Sequence, residues 1–225
     1  NYVCLSVTDE DTGRGDEEKL ATWTHTDKGF YWAGCYVDPD RRFLLVGTDD
    51  GDPGYLEYTA RLLCLDPVSG KLLDTVDGIR GDLRSNVSYD KVTDRYFFTS
   101  KGGYFYSTKM TESNGLPCFD KAAYREIYLD NYGSDPSRPP MSTCTPVVYG
   151  SRAYIGVSGV GQFTPYSGHN ITVIDLQNWC IAYSVPTQGY PQTSGLLTTA
   201  YEKENGYVYV YFFDNFTPGK LRVLQ

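Results

Sequence analysis

Residues 143–157 read Thr-Cys-Thr-Pro-Val-Val-Tyr-Gly-Ser-Arg-Ala-Tyr-Ile-Gly-Val, and this stretch decides the fold. Small residues open it, and a short apolar run, a tight polar turn around Gly150 and Ser151, and a second apolar run follow. Apolar runs bounded by turn residues are typical of β-strands. Two such runs around a tight turn predict a β-hairpin.

Similar hairpins recur along the chain. Their strands are predicted at 34–37 and 43–47, at 86–89 and 96–99, and at 196–200 and 207–212. In the first and third units a second hairpin follows, at 61–76 and 170–185, and its turn starts on an Asp in both cases. Asp, Pro and Gly are the residues that such turns favour. Each complete unit is thus predicted to hold four antiparallel strands.

The repeat has a regular period. The markers Tyr36, Tyr89, Tyr149 and Tyr201 lie 53, 60 and 52 residues apart, a spacing typical of propeller blades and repeat arrays. Because a four-stranded sheet buries both faces only when other sheets stack on it, units of this size predict radial or linear repetition. We predict an all-β fold, a β-propeller of about four four-stranded antiparallel blades. Its units are expected near 33–80, 85–130, 143–188 and 194–225 of a single domain over 1–225, with 1–25 as outer strands of a preceding or closing blade.

Small residues open each predicted unit. They are Ala33-Gly34, Ser85-Asn86, Thr143 with Thr145, and Ser194-Gly195. Crowding of the innermost strands around an axis favours small side chains, although ordinary turns would favour the same residues. Strands within 1–25 could complete the last blade and close a ring; otherwise the chain is part of a larger propeller, completed by further sequence or by a second chain. We favour the incomplete ring.

Charge and hydropathy exclude two classes of partner. The formal net charge is -8, and the 20 Lys and Arg residues are scattered. Binding to a phosphate backbone needs clustered basic residues, so we predict no nucleic-acid partner. No window approaches the roughly 20 apolar residues of a membrane helix, so we predict no membrane insertion.

Candidate metal ligands are few. The six Cys have no CxxC spacing, which argues against zinc; buried thiols are the favoured interpretation, with disulfides as the alternative. Asp49, Asp50 and Asp52 lie in a glycine-containing loop and could supply oxygen atoms to calcium. Their spacing does not match an EF-hand, and a solvated turn explains them equally well.

The run Leu-Cys-Leu-Asp-Pro-Val-Ser-Gly-Lys-Leu at 63–72, echoed by Val-Ile-Asp at 173–175, resembles the repeat of PQQ-like (quinoprotein-alcohol-dehydrogenase-like) β-propellers. Further runs that carry the resemblance lie at 47–51, 81–85, 99–103, 145–149 and 189–194. Over most of its length the chain is similar to secreted, uncharacterised PQQ-like repeat proteins of Gram-positive gut bacteria, which implies a propeller outside the cell or on its surface. Enzymes of the family bind pyrroloquinoline quinone with calcium, and many carry a disulfide between adjacent cysteines. This chain has no adjacent cysteines and no matching set of cofactor-stacking Trp and calcium ligands, so we predict no PQQ cofactor.

The connections into the innermost strands are the best candidates for a ligand site, because propellers commonly present ligand contacts around the central channel. Trp32 and Tyr190 could stack on a sugar or another planar ligand, and Arg84, Asn86 and Gln192 offer hydrogen bonds. The alternative is that the two aromatic residues pack between blades and that Arg84 binds backbone carbonyl groups.

Catalytic motifs are missing from the sequence. The chain has no GxSxG motif, no phosphate-binding loop and only two His, so no catalytic residue is predicted. We predict a binding or interaction scaffold, extracellular or at the cell surface, for a protein or glycan ligand. The competing hypothesis is an enzyme, either a quinoprotein dehydrogenase fragment or a carbohydrate-active propeller. Open blade edges would favour pairing with a second chain or self-association.

Overall fold

The computed structural model describes residues 1–5, 21–32, 34–40, 42–129, 140–158 and 169–225. In these ranges the chain consists of β-strands and loops, with a helix α1 at Glu202–Asn205 and a 3-10 turn at Lys121–Ala123. All strand pairs are antiparallel there, which confirms the predicted all-β fold class. No helix within the described ranges is long and apolar enough to cross a membrane.

A two-stranded ribbon precedes four larger sheets, which we term blades 1 to 4. The ribbon consists of β1 (Tyr2–Leu5) and β2 (Ala21–His25). Blade 1 consists of β3 (Cys35–Val37), β4 (Leu44–Gly47), β5 (Ala60–Leu65) and β6 (Leu72–Ile79). Blade 2 begins with β7 (Ser88–Asp90), β8 (Arg95–Thr99) and β9 (Tyr104–Thr108).

A hairpin is inserted before the last strand of blade 2. It consists of β10 (Met110–Ser113) and β11 (Leu116–Phe119), and β12 (Arg125–Tyr128) then completes blade 2 beside β9. Blade 3 consists of β13 (Val147–Tyr149), β14 (Arg152–Val157), β15 (Asn170–Asp175) and β16 (Cys180–Pro186). Blade 4 has three strands, β17 (Leu196–Thr198), β18 (Tyr209–Asp214) and β19 (Lys220–Leu224). Among the described strands the ribbon pairs with no blade, so it does not complete blade 4.

Apolar side chains on both faces of the sheets join them into a stack. Successive residues of a strand point to opposite faces, so in β8 Phe98 packs towards blade 1 and Phe97 packs towards blade 3. Both rings are fully buried. The ribbon meets blade 1 through Trp23, Val46 and Leu63; blade 1 meets blade 2 through Leu45, Leu62, Tyr96 and Phe98; blade 2 meets blade 3 through Phe97, Phe105, Ala153 and Ile155; and blade 3 meets blade 4 through Ile171, Val210 and Phe212.

The residues that open the blades touch one another. A Cβ atom on Gly34 would lie 1.7 Å from Oδ1 of Asn86. The backbone N–H of Asn86 donates to Oγ1 of Thr145 at 3.0 Å, and the N–H of Thr145 donates to Oγ of Ser194 at 3.2 Å. The four blades therefore start side by side, in agreement with the crowding predicted from their small residues. Ala33 lies outside the described residues.

The six cysteines are all described, and none of them forms a disulfide. Cys64 and Cys144 are buried. Burial raises the pKa of Cys64 to about 12 and that of Cys144 to about 11. Both side chains therefore pack as neutral thiols, the favoured interpretation of the sequence.

Replacing Phe98 with Ala tests the contact between blades 1 and 2. The buried ring stacks on Tyr106 with centroids 5.1 Å apart, so its removal leaves a cavity between two sheets. We expect the free energy of unfolding, measured by urea denaturation, to fall by about 3–5 kcal/mol. The control Val92→Ala shortens an exposed turn residue and should change stability by less than about 0.5 kcal/mol. Equal stability of the two variants would contradict the stacking.

Replacing Gly156 with Ala tests the close approach between β14 of blade 3 and the connection into blade 4. A Cβ atom on Gly156 would lie 1.7 Å from the backbone oxygen of Pro191, in the connection into blade 4, whereas a Cβ atom on Gly219 would meet nothing closer than 3.5 Å. We expect Gly156→Ala to destabilise the protein by about 1–3 kcal/mol, because backbone has to move. Gly219→Ala is the matched control. A Gly156→Ala variant with the urea midpoint of the wild type would show that this approach is not required.

Candidate ligand-binding site

Polar and aromatic side chains gather at one edge of blades 1 and 2. Because the strands of a blade are antiparallel and lie in chain order, the connection into its first strand and the loop between its second and third strands lie at the same edge. We term this edge the upper edge. Segments 26–32, 48–59, 80–87 and 100–103 belong to it.

Backbone hydrogen bonds hold the upper-edge loops of the two blades together. The N–H of Leu83 donates to the carbonyl of Thr48 at 3.0 Å, and the N–H of Lys101 donates to the carbonyl of Asp82 at 2.9 Å. Gly47 permits this approach, since a Cβ atom there would lie 2.6 Å from the Leu83 carbonyl oxygen. Side chains from three loops are therefore brought within contact distance.

Arg84 is the centre of the resulting cluster. Its Nη2 atom lies 2.5 Å from Oδ2 of Asp82, and its Nε atom lies 3.5 Å from Oδ1 of Asp49. All three side chains are mostly buried, so bulk salt screens these ion pairs less than it would screen a surface pair. The structure thus brings together Arg84, predicted as a ligand contact, and Asp49, predicted as a metal ligand.

Three aromatic rings surround the guanidinium group of Arg84. Its Cζ atom lies 4.8 Å from the ring centroid of Tyr31, 5.5 Å from that of Trp32 and 5.9 Å from that of Tyr55. Tyr31 and Trp32 are 56% and 65% exposed, with centroids 5.1 Å apart. Trp32 and Tyr55 adopt positive φ angles of 60° and 59°, a strained conformation that is common at functional sites. The cluster therefore offers solvent two aromatic rings held beside a fixed cation.

Two buried titratable side chains, Asp50 and Lys101, also belong to the site. Asp50 and Lys101 are only 4% and 3% exposed, and the Nζ atom of Lys101 lies 3.4 Å from the ring centroid of Tyr55. Burial, together with the neighbouring Asp82, raises the pKa of Asp50 to about 6. Burial, together with the charge of Arg84, lowers the pKa of Lys101 to about 8. Both groups are thus shifted towards their neutral forms. We term the whole set the Arg84 cluster: Tyr31, Trp32, Asp49, Asp50, Tyr55, Asp82, Arg84 and Lys101.

The three carboxylates predicted as calcium ligands have other roles in the structure. Oδ1 of Asp50 accepts the N–H of Asp52 at 2.8 Å, and Oδ2 of Asp52 accepts the N–H of Leu56 at 3.0 Å, so these two side chains stabilise their own loop. Asp49 pairs with Arg84. In the part of the chain that the structure describes, no group of three His, Cys, Asp or Glu is arranged to hold a metal ion. Calcium binding stays a prediction.

The other predicted ligand contacts, Asn86, Tyr190 and Gln192, do not belong to the Arg84 cluster. Asn86 is at the starts of the blades, next to Gly34. Tyr190 is fully buried, and its hydroxyl oxygen accepts the N–H of Thr143 at 2.7 Å, so it joins the connection into blade 4 to the connection into blade 3. Gln192 is half-buried on the same loop, and its N–H donates to the carbonyl of Tyr190.

Four members of the Arg84 cluster lie outside the sequence prediction: Tyr31, Tyr55, Asp82 and Lys101. The position of Asp82 could have been predicted from the sequence, because residues two positions apart in an extended segment point to the same side. That spacing predicts a pair with Arg84. Lys101 gave no such signal, because its place beside Asp82 depends on how blade 2 stacks on blade 1.

Comparisons with known proteins concern the fold. No known family and no curated protein matches the sequence. Among solved structures, the chain is similar to the β-propeller domain of Cps50 (Swd1) from Myceliophteria thermophila, with a TM-score of 0.51 and 7% identity over 84% of this chain and 51% of that one. It is also similar to BBS1N in complex with ARL6DN, with a TM-score of 0.49 and 13% identity over 85% and 50%. The quinohemoprotein alcohol dehydrogenase ADHIIG from Pseudomonas putida HK5 gives a TM-score of 0.48 and 14% identity over 82% and 30%.

These likenesses bear on architecture alone, because the sequence identities are low. The chain spans about half the length of the first two structures. The stacked antiparallel sheets and the likeness to the Cps50 domain together confirm the predicted fold, a set of β-propeller blades.

Proposed function

We propose that this chain is a binding scaffold whose ligand is a glycan, held at the Arg84 cluster. One observation carries the proposal: the exposed rings of Tyr31 and Trp32 stand beside the paired side chains of Arg84 and Asp49. A location outside the cell or on its surface is part of the proposal.

Sugar rings match this combination of surfaces. A pyranose presents C–H groups on one face and hydroxyl groups around its edge, so it needs an apolar platform with hydrogen-bond donors and acceptors at the side. Tyr31 and Trp32 supply apolar platforms that end in polar atoms. Arg84 supplies only donors and the carboxylate of Asp49 only acceptors, so neighbouring hydroxyl groups of one sugar could bind both.

The polar side chains of the site are fixed before a ligand arrives. Arg84 is held by Asp82 and Asp49 and is covered by aromatic rings. Ordering long side chains on binding costs free energy and weakens affinity. Because Arg84 is already ordered, this cost is small here. Preorganisation of this kind favours recognition of small, polar ligands.

Burial favours binding over catalysis at this site. The raised pKa of Asp50 beside Asp82 is a property that acid–base catalysts share. A general acid must reach the reacting bond directly or through one water molecule, and both carboxylates are nearly fully buried. The exposed groups are the rings, and these can hold a sugar without reacting with it.

Replacing Trp32 with Ala tests the site directly. The protein is first screened on an array that carries both glycans and peptides, and affinity for each hit is then measured by calorimetry. We expect glycan hits and at least about a tenfold loss of affinity in Trp32→Ala, because an exposed aromatic platform is removed. Trp32 is a better probe than Arg84, whose removal would leave buried carboxylates unpaired.

The matched control is Tyr183→Ala, which removes another half-exposed aromatic ring, on β16 of blade 3. It should leave glycan affinity unchanged. Hits confined to peptides would show that the ligand class is wrong. Glycan binding that survives Trp32→Ala would show that the site is wrong.

Replacing Asp50 with Asn tests whether the buried charge is kept at the expense of stability. The pKa of Asp50 is raised from its ordinary 3.8 to about 6, so the folded state holds this proton more tightly than the unfolded state does. The contribution of the protonated Asp50 carboxyl group to folding stability is present at pH values below about 4 and is lost as the pH rises through about 6. Asp50→Asn should therefore stabilise the protein by about 2 kcal/mol near neutral pH and have little effect near pH 4.

The measurement is urea unfolding at both pH values. Asp40→Asn, which removes an exposed carboxylate from the turn between β3 and β4, controls for the change in net charge. Destabilisation of Asp50→Asn near neutral pH would mean that the ionised carboxylate supports the fold.

A further inference from the structure

A further aromatic ring stands exposed at the upper edge of blades 1 and 2, outside the Arg84 cluster. Tyr58 lies in the loop between β4 and β5 and is 53% exposed. The Cζ atom of Arg80 lies 5.7 Å from the centroid of its ring. The arrangement of Tyr31 beside Arg84 is therefore repeated, with an exposed ring next to a guanidinium group.

Hydrogen bonds hold this further ring in place. The N–H of Gly81 donates to the carbonyl of Glu57 at 3.0 Å, which ties together the chain segments next to Arg80 and Tyr58. The hydroxyl oxygen atoms of Tyr58 and Tyr104 lie 3.4 Å apart, within hydrogen-bond distance. The ring is thus positioned before a ligand arrives, which lowers the free-energy cost of binding.

The exposed rings lie at different places along the boundary between the two blades. Trp32 precedes the first strand of blade 1, whereas Arg80 directly follows its last strand. Neighbouring strands lie about 4.8 Å apart, so β3 and β6, at the two edges of this sheet, are separated by about 14 Å. One aromatic ring and one sugar ring have faces of similar size. The platforms at Trp32 and Tyr58 therefore offer places for different sugar units.

The charged groups along this boundary favour a neutral ligand. Arg84 is paired with Asp49 and Asp82, so its charge is already balanced. Glu57, which precedes Tyr58 in the chain, is exposed. These carboxylates repel a chain of acidic sugars, whereas the hydroxyl groups of a neutral sugar can donate hydrogen bonds to them.

We infer that the glycan is a neutral chain of several sugar units, which lies along the boundary between blades 1 and 2 from Trp32 to Tyr58. This inference rests on the proposed function, because it extends the site at the Arg84 cluster. Different sugar units of one chain stack on Trp32 and on Tyr58. Once one unit is bound, the next is held close to its own platform, so affinity increases with chain length.

Calorimetry with sugar chains of graded length tests the inference. The probes are neutral oligosaccharides of one to six units, in glucose, mannose, galactose and xylose series. We expect the six-unit chain of a binding series to bind at least about tenfold more tightly than its shortest fragment that binds. Trp32→Ala should weaken the binding of both. Tyr58→Ala should weaken that of the six-unit chain about tenfold and leave that of the short fragment unchanged.

Two control variants separate stacking from other effects of substitution. Tyr58→Phe loses the hydroxyl contact with Tyr104 but keeps the ring, so it should bind the six-unit chain as the wild type does. Tyr183→Ala, on β16 of blade 3, should do the same. Urea unfolding checks the stability of each variant. If Tyr58→Ala is less stable than the wild type, Tyr58→Leu replaces it, because leucine keeps an apolar side chain but has no flat ring.

The outcomes distinguish this inference from the proposed function. Equal affinity for all chain lengths would overturn the inference alone, as would a six-unit chain that binds Tyr58→Ala as tightly as the wild type. Tighter binding of a six-unit galacturonic acid chain would show that the ligand is not neutral. If no oligosaccharide binds, or if Trp32→Ala weakens none of them, both the inference and the proposed function are wrong.

Discussion

The sheets of this protein are apolar on both sides, and the rest of the structure depends on this constraint. Phe97 and Phe98 are neighbours in β8, point in opposite directions and are both fully buried. A sheet of this kind cannot turn either side to water, so it needs one sheet before it and another after it. The stacking of blades is therefore required by the composition of single strands. Blade 4 meets the requirement on one side within the described chain, and its other side carries apolar groups of the same type.

Stacking also fixes which loops meet. The starts of the blades approach so closely that a Cβ atom on Gly34 would overlap Asn86. The loops that leave the sheets at the upper edge are then forced into contact across the boundary between two blades. Tyr31 and Trp32 come from the connection into blade 1, whereas Arg84 comes from the connection into blade 2. A cluster of side chains more than 50 positions apart in the sequence is thus a consequence of the same packing that forms the core.

The sequence predicts what is local and leaves open what depends on stacking. The hairpin at 143–157 can be predicted because its apolar runs and its turn residues lie within a few positions of one another. The structure confirms it as β13 and β14. The sequence identifies Arg84 and Asp49 as polar residues on connecting loops. It does not predict their pairing, because the pairing depends on the register between two blades. Tyr190 and Trp32 both lie on connecting loops, yet one ring is buried and the other exposed. Loop position alone does not distinguish these outcomes. The hairpin of β10 and β11 interrupts the repeat. The spacing of 60 residues between Tyr89 and Tyr149, longer than the other two, indicates an insertion but not its structure.

The charged groups of the upper edge and the apolar core beneath them are energetically linked. Asp50 and Lys101 are buried, and burial shifts the pKa of each towards the neutral form, so both lower stability when charged. They stay in place because backbone hydrogen bonds fix their loops. The N–H of Leu83 donates to the carbonyl of Thr48 across the blade boundary, and the N–H of Lys101 donates to the carbonyl of Asp82 in the connection into blade 2. Leu83 is itself part of the apolar cluster between blades 1 and 2, and it stands next to Arg84 in the chain. The apolar packing of Leu83 thus fixes the position of the loop that carries Arg84. Apolar packing at this boundary offsets the free energy that the buried charges cost, which is why a polar cluster of this density can persist there.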